Sequence, residues 1–254
     1  MSRAGRTLDA RWAALRRHAR VLGPEGRRPT VLMFHGCGGL GAHLDHYADA
    51  ATAQGVRVVV VDSFAPRGWS DRFAKTLVCT GAMFRGAERA GDVLAAAHGA
   101  IAELAADPGG LMLAGWSHGA WAIMDLMTMP LDTPGEAGLA DPSPKPLEGV
   151  RGLFLAYPYG GLTALSRSRD WVRRPRTLAV LGEKDRVTHP RDAERIYDRI
   201  SAAGGALEVW RAPGRHAFDE PATELSWLRF KAELLAEAVE RFGRFLGETL
   251  SAQP

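Results

Sequence analysis

Residues 111–123 read LMLAGWSHGAWAI. The stretch opens as a short apolar run, turns through Gly115, Trp116, Ser117, His118 and Gly119, and continues with a helical pattern. A serine between two glycines at such a corner has two explanations. Either the turn needs small residues on steric grounds alone, or Ser117 is a nucleophile held on a strained bend. In a strand–turn–helix elbow of the form G-x-S-x-G, the glycines two before and two after the serine relieve crowding around a strained backbone. Such a bend aims Oγ out of the carboxyl end of the sheet, at the positive end of the helix dipole. A neutral serine is a poor nucleophile, so the second explanation requires a base and an acid to orient it.

Outward from the elbow the chain alternates strand-like and helical segments. TVLMF (30–34), VRVVVVD (56–62), GLMLAG (110–115), VRGLFLAY (150–157), TLAVLG (177–182) and ALEVW (206–210) are short and β-rich. Most are apolar throughout rather than alternating, as strands covered on both faces are. Helical patterns occupy 42–54, 86–106, 118–129, 190–203 and 221–250. This order predicts an α/β fold: a mostly parallel central sheet with helices on both faces and right-handed crossovers.

In such a sheet the reactive groups gather outside the carboxyl ends of the strands. After TLAVLG comes EKDRVTHP, which offers Asp185; after ALEVW comes RAPGRHAFDE, which offers His216. The chain order Ser117, Asp185, His216 is the order such an elbow requires. Glu183, His118 and His189 are the competing candidates. Glu183 is expected to point elsewhere on its turn, His118 away from the base position, and His189 to begin a helix. The oxyanion of an acyl-transfer reaction also needs donors. The N–H of His118 is one, and the glycine-rich loop HGCGGLG (35–41) supplies the other, assigned to the N–H of Cys37. That loop lacks the G-x-G-x-x-G spacing of a dinucleotide site. No metal or organic cofactor is called for.

The chain has 254 residues and a formal net charge of +3. Residues 1–28 hold eight arginines against Asp9 and Glu25. A basic arm of this kind can bind nucleic acid or an anionic membrane. The simpler reading is an amphipathic helix with Leu8, Trp12 and Leu15 on the body and the arginines in water. No apolar run is long enough to span a bilayer and no signal-peptide core is visible, so a cytoplasmic protein is expected, without nucleic-acid or membrane partners. Cys37 and Cys79 are then read as two reduced thiols. The division expected is a basic helical arm, 1–27, and one domain, 28–254. Within it the proline-rich stretch 130–148 is expected as a loop over the site.

Taken in order, HGCGG, VVVVDSFAPRG, GWSHG, AYPYGG, LGEKDRVT and GRHAF resemble the dienelactone hydrolase branch of the α/β-hydrolase superfamily, over roughly residues 28–247. The resemblance implies a nucleophile at Ser117, an acid at Asp185, a base at His216, and oxyanion donors at the amides of Cys37 and His118. Dienelactone enzymes use a cysteine nucleophile with a glutamate partner in the first loop, where this chain has Ser117 and Gly36. They also place an arginine four residues after the catalytic histidine, where this chain has Glu220. These departures point to a general esterase rather than to dienelactone as substrate. Arg67, Arg72 and Arg85 in segment 64–86 are candidates to hold an anionic substrate or to be salt-bridged, and Arg85 is the one assigned to substrate. Tyr157 is assigned to the acyl pocket, with Tyr159 beside it, although either can merely pack at the strand end.

The expected function is therefore an ester-cleaving serine hydrolase acting on a small molecule. A peptidase or thioesterase on the same triad is the nearest alternative. A catalytically silent binding protein on the same fold is the other.

Overall fold

The computed structural model describes residues 6–70, 73–78, 83–221 and 229–251. Seven strands form one sheet: β1 (Arg20–Leu22), β2 (Arg28–Phe34), β3 (Arg57–Val61), β4 (Ala106–Trp116), β5 (Val150–Ala156), β6 (Arg176–Gly182) and β7 (Leu207–Ala212). Their order across the sheet is β1-β3-β2-β4-β5-β6-β7, and every pair is parallel except β1 with β3. The helices are α1 (Leu8–Arg16), α2 (His43–Thr52), α3 (Gly86–Glu103), α4 (His118–Met127), α5 (Pro190–Ala202) and α6 (Ala232–Ser251). The fold is that of the α/β-hydrolases.

The apolar runs lack a polar phase because successive side chains enter two different cores. Leu32, Phe34, Val59, Val61, Leu111, Leu113, Leu153 and Leu155 face the layer of α1, α3, α4 and α5. Their neighbours Val31, Met33, Val58, Val60, Met112, Ala114, Phe154 and Ala156 face α2 and α6. Because each strand runs parallel to the next, all the strand-to-helix turns from β2 onward open on one edge. That edge carries the site.

The basic amino-terminal segment is part of this packing. Leu8, Arg11, Trp12 and Leu15 lie on one stripe of α1 and are all buried. Trp12 sits against α3 where Gly99 leaves room, since a Cβ there would stand 2.2 Å from the indole. The expectation that the arginines lie in water fails at Arg11. Its place on the buried stripe puts its guanidinium on Asp92 at 2.8 Å and near the Gly138 carbonyl at 3.3 Å. Arg16 and Arg20 do form exposed pairs, with Glu103 and Asp45.

Residues 130–148 do not cover the site. They follow α4, which starts at Ser117 and carries the chain away for ten residues, about 15 Å. They pack instead on α1 and α3. The Leu8 N–H donates to Asp141 Oδ1 at 2.7 Å, and the Ala137 carbonyl presses on Gly91 of α3. Leu131, Leu139 and Leu147 are buried. The carboxy-terminal helix also begins later than the pattern 221–250 predicts. Residues 222–228 lie outside the described residues, and the Lys231 N–H is held by the Phe218 carbonyl at 2.8 Å just before α6. Among the described residues no helix is long and apolar enough to cross a membrane.

One buried charge makes stability depend on pH. Asp125 on α4 is fully buried, and its Oδ1 accepts from the N–H and hydroxyl of Ser166. Burial, against these hydrogen bonds, pushes its pKa up to about 7. The folded state therefore binds this proton more tightly than the unfolded chain. Its stabilising contribution is complete below about pH 4 and fades as pH rises through about 7. The span is worth roughly 4 kcal/mol. Urea denaturation of wild type from pH 4 to 8 is expected to lose a share of stability that Asp125→Asn, which has no proton to lose, retains.

Candidate active site

The bend at Ser117 is built by contacts that leave no room for larger residues. Ser117 has φ 49° and ψ −109°, a strained conformation for a residue with a Cβ. A Cβ at Gly115 would lie 2.6 Å from the Ala120 nitrogen, and one at Gly119 would lie 2.1 Å from the Phe34 carbonyl oxygen. The two glycines let β4 reverse directly into α4 while β2 runs alongside.

The three residues selected from the sequence meet at this corner. Ser117 Oγ lies 2.9 Å from His216 Nε2, and His216 Nδ1 lies 2.8 Å from Asp185 Oδ2. A carboxylate only accepts, so Nδ1 carries the proton and Nε2 presents its lone pair to the serine hydroxyl. Asp185 also accepts from the Thr188 hydroxyl at 2.7 Å and from the amides of Val187 and Thr188. Burial alone would raise its pKa, but hydrogen bonds from His216 and Thr188 outweigh it and hold the carboxyl below its ordinary range. All three side chains are buried, with 8% of Ser117 exposed.

The glycine-rich loop 35–41 follows β2. His35 Nε2 accepts the Ser63 N–H at 3.1 Å, which leaves Nδ1 to donate to the Gly36 carbonyl at 2.6 Å. The Gly36 carbonyl and the Cys37 N–H belong to one trans peptide and point in opposite directions. By fixing the carbonyl, His35 therefore sets the heading of that N–H. The His118 N–H belongs to the first turn of α4, where backbone donors have no partner inside the helix.

The His118 side chain is not a second base. Its Nε2 donates to the Phe84 carbonyl at 2.7 Å and its Nδ1 accepts from Arg89 at 3.1 Å. Burial first, then the charge of Arg89, hold its pKa well below the ordinary histidine value. Glu183 is exposed, and His189 caps α5, as expected.

Tyr157 departs from its assignment to the acyl pocket. It is 2% exposed, its hydroxyl donates to Asp219 at 2.7 Å, and its ring packs 4.9 Å from that of His216. It touches the His216 ring and presents almost no surface to a substrate. Arg85 is exposed at the start of α3, next to the Phe84 that stacks on His118. Arg67 is salt-bridged to Asp92 and lies over the Phe84 ring, and Arg72 lies outside the described residues. Tyr159 packs on Trp121. Cys37 is disulfide-bonded, which overturns the expectation of a reduced thiol; Cys79 lies outside the described residues. Phe64, Val78 and Phe84 form a buried cluster against which Cys37 packs, a proximity that spacing along the chain does not reveal.

Four buried residues that shape the site escape the sequence reading: His35, Arg89, Tyr47 and Asp219. Arg89 carried one available signal. It sits with Asp92 on the otherwise apolar face of a helix, a charge at i and its opposite at i+3. Among the described residues no three His, Cys, Asp or Glu side chains are gathered to hold a metal ion.

No family model and no curated protein matches the sequence. Solved structures do resemble it. A structure described as a putative dienelactone hydrolase from Klebsiella pneumoniae subsp. pneumoniae MGH 78578 superposes with a TM-score of 0.65 at 15% identity, covering 91% of this chain and 92% of that one. A dienelactone hydrolase-like promiscuous phosphotriesterase from metagenomic libraries gives 0.65 at 13% identity, with 92% of each chain covered. Thermogutta terrifontis esterase 2, phosphonylated by sarin, gives 0.63 at 14% identity over 92% of this chain and 91% of that one. At these identities the likeness establishes the fold.

The elbow is testable apart from any activity. Gly119→Ala forces a methyl group onto a backbone oxygen that cannot move aside and is expected to cost on the order of 3 kcal/mol in chemical denaturation. Gly36→Ala, whose methyl group would meet Ser117 Cβ at 3.5 Å and the Trp116 oxygen at 3.6 Å, is expected to leave stability nearly unchanged.

Proposed function

We propose that the protein is a serine hydrolase that cleaves carboxylic esters of small molecules through an acyl-enzyme. The observation that carries this reading is the unbroken hydrogen-bonded chain from Ser117 Oγ through His216 to Asp185, at the carboxyl ends of three strands. His216 Nε2 takes the hydroxyl proton as Oγ attacks the ester carbonyl. Asp185 keeps the ring in the tautomer that makes this possible and stabilises the imidazolium that results. The amides of Cys37 and His118 receive the oxyanion. Collapse of the tetrahedral intermediate expels the alcohol, which takes its proton from His216. Water, deprotonated in turn by His216, then releases the acid and restores Ser117.

Two further points support the reading. His118, the competing base beside the nucleophile, is committed to Phe84 and Arg89. Two of the similar structures are described as an esterase carrying a phosphonyl group and a dienelactone hydrolase-like enzyme. Arg85, exposed beside Phe84, is the proposed contact for an acidic group on the substrate.

Treatment with a fluorophosphonate followed by peptide mapping is expected to place the adduct on Ser117 and to find none in Ser117→Ala. On p-nitrophenyl esters, Asp185→Asn is expected to lower kcat by about 10⁴, because the imidazole loses its enforced tautomer. Folded wild type that neither takes the label at Ser117 nor turns over esters or thioesters would falsify the assignment.

A further inference from the structure

Asp219 is fully buried, lies three residues after His216 on the same loop, and has no part in the steps above. Each carboxylate oxygen accepts one tyrosine hydroxyl. Oδ2 takes that of Tyr47 at 2.6 Å and Oδ1 that of Tyr157 at 2.7 Å. Burial, then the charge of Asp219 itself, push both phenols well above their ordinary range, so both keep their protons and donate. A charge taken out of water is unfavourable unless its hydrogen bonds are made, and here both oxygens are answered by side chains from outside the loop.

The two tyrosines hold different parts of the molecule. Tyr47, on α2, is wedged among Trp116, Phe154 and Phe242, with ring centroids 4.9 to 5.5 Å apart. Tyr157 stands just past β5 with φ 37°, in the left-handed region that a bulky residue occupies only when its surroundings insist. Its N–H is tied to the Val180 carbonyl at 2.7 Å, and its ring meets the imidazole at 66°. The ring of His216 thus has three neighbours that fix its attitude: Asp185 at one nitrogen, Ser117 at the other, and Tyr157 against the ring.

We propose that Asp219 is a positioning residue for His216, anchoring the base loop to α2 through Tyr47 and fixing through Tyr157 the surface against which the imidazole rests. The proposal depends on the triad reading above. A buried carboxylate linked to the imidazole through the single ring of Tyr157 also favours the imidazolium formed in the proposed reaction. The titratable groups that bear on this assembly are Asp185 at the imidazole, Tyr47 of α2 and Tyr157 after β5 at the Asp219 carboxylate, and Glu220, whose charge acts on Tyr157.

The test is Asp219→Asn, whose amide can still answer both hydroxyls, alongside Tyr157→Phe, which keeps the ring and removes its hydrogen bond. On a p-nitrophenyl ester, both are expected to lose on the order of tenfold in kcat, with KM within about twofold of wild type, as for a small misplacement of a reacting group. In Asp219→Asn the acidic limb of kcat/KM is expected to move to lower pH, because the base must be neutral and its charged form has lost a stabilising neighbour. A variant that melts at lower temperature but keeps the wild-type kcat and acidic limb shows a merely structural carboxylate, and the proposal is overturned. If Asp219→Asn does not fold, an unchanged kcat in Tyr157→Phe overturns it equally. Fluorophosphonate labelling of wild type separates the two levels: labelled wild type with unaffected variants removes only Asp219, whereas unlabelled, inactive wild type removes the triad reading as well.

Discussion

Everything at the site depends on a single residue's reversal from strand to helix. Ser117 is forced to φ 49° because β4 ends and α4 begins without an intervening loop. The conformation is held by backbone contacts: β2 carbonyls press against Gly119, and the first turn of α4 presses against Gly115. These contacts bring the loop after β2 beside the start of α4, with Gly36 against Ser117. Strain of this kind persists only where the surroundings over-determine it. Here the central strand of the sheet, flanked by β2 and β5, supplies that determination.

Behind the bend lies a layer of charge that the core must accommodate. Arg89 is fully buried; its Nε donates to the Ser63 hydroxyl and one terminal nitrogen to His118 Nδ1. Burial pulls its pKa down to about 9, which still leaves it protonated at neutral pH. Asp92, a turn further along α3, is shared by Arg67 and Arg11. The amino-terminal helix and the segment after β3 are thereby joined to α3 through one carboxylate. The basic arm is bound into the same network that supports His118.

The sheet and the meeting of Ser117, Asp185 and His216 were legible in the sequence for one reason. Strands buried on both faces and strand-end turns are local patterns, and a parallel sheet brings such turns to one edge. Ser117, Asp185 and His216 each carry their own local signature, so three separate readings converge. The miss at Tyr157 has the opposite character. Its place at a strand end was visible, but the direction of its ring depends on Asp219, a partner 62 residues away whose neighbours HAF and EP give no sign of its burial. The proline-rich stretch misled for a similar reason. Its composition indicates irregular backbone, while its position is set by the length and direction of α4. Arg11 looked like one arginine among eight until the stripe of Leu8, Trp12 and Leu15 fixed which face of α1 turns inward.

The placement of Arg89 gives the neutral state of His118 a chemical meaning. A protonated His118 would set two positive groups side by side without water, and it would give up the acceptor that Arg89 requires. The ring therefore stays neutral and passes the guanidinium's influence toward the first turn of α4. That turn already carries the partial positive charge of a helix amino end. The backbone N–H proposed to meet the oxyanion thus belongs to a residue whose side chain is hydrogen-bonded to a buried cation. Negative charge developing on the substrate oxygen would find this field already in place, with no reorganisation needed as the reaction proceeds. In the proposed reaction the same field disfavours a positive group at His118 and would leave the Ser117 proton to His216, where Asp185 would balance it.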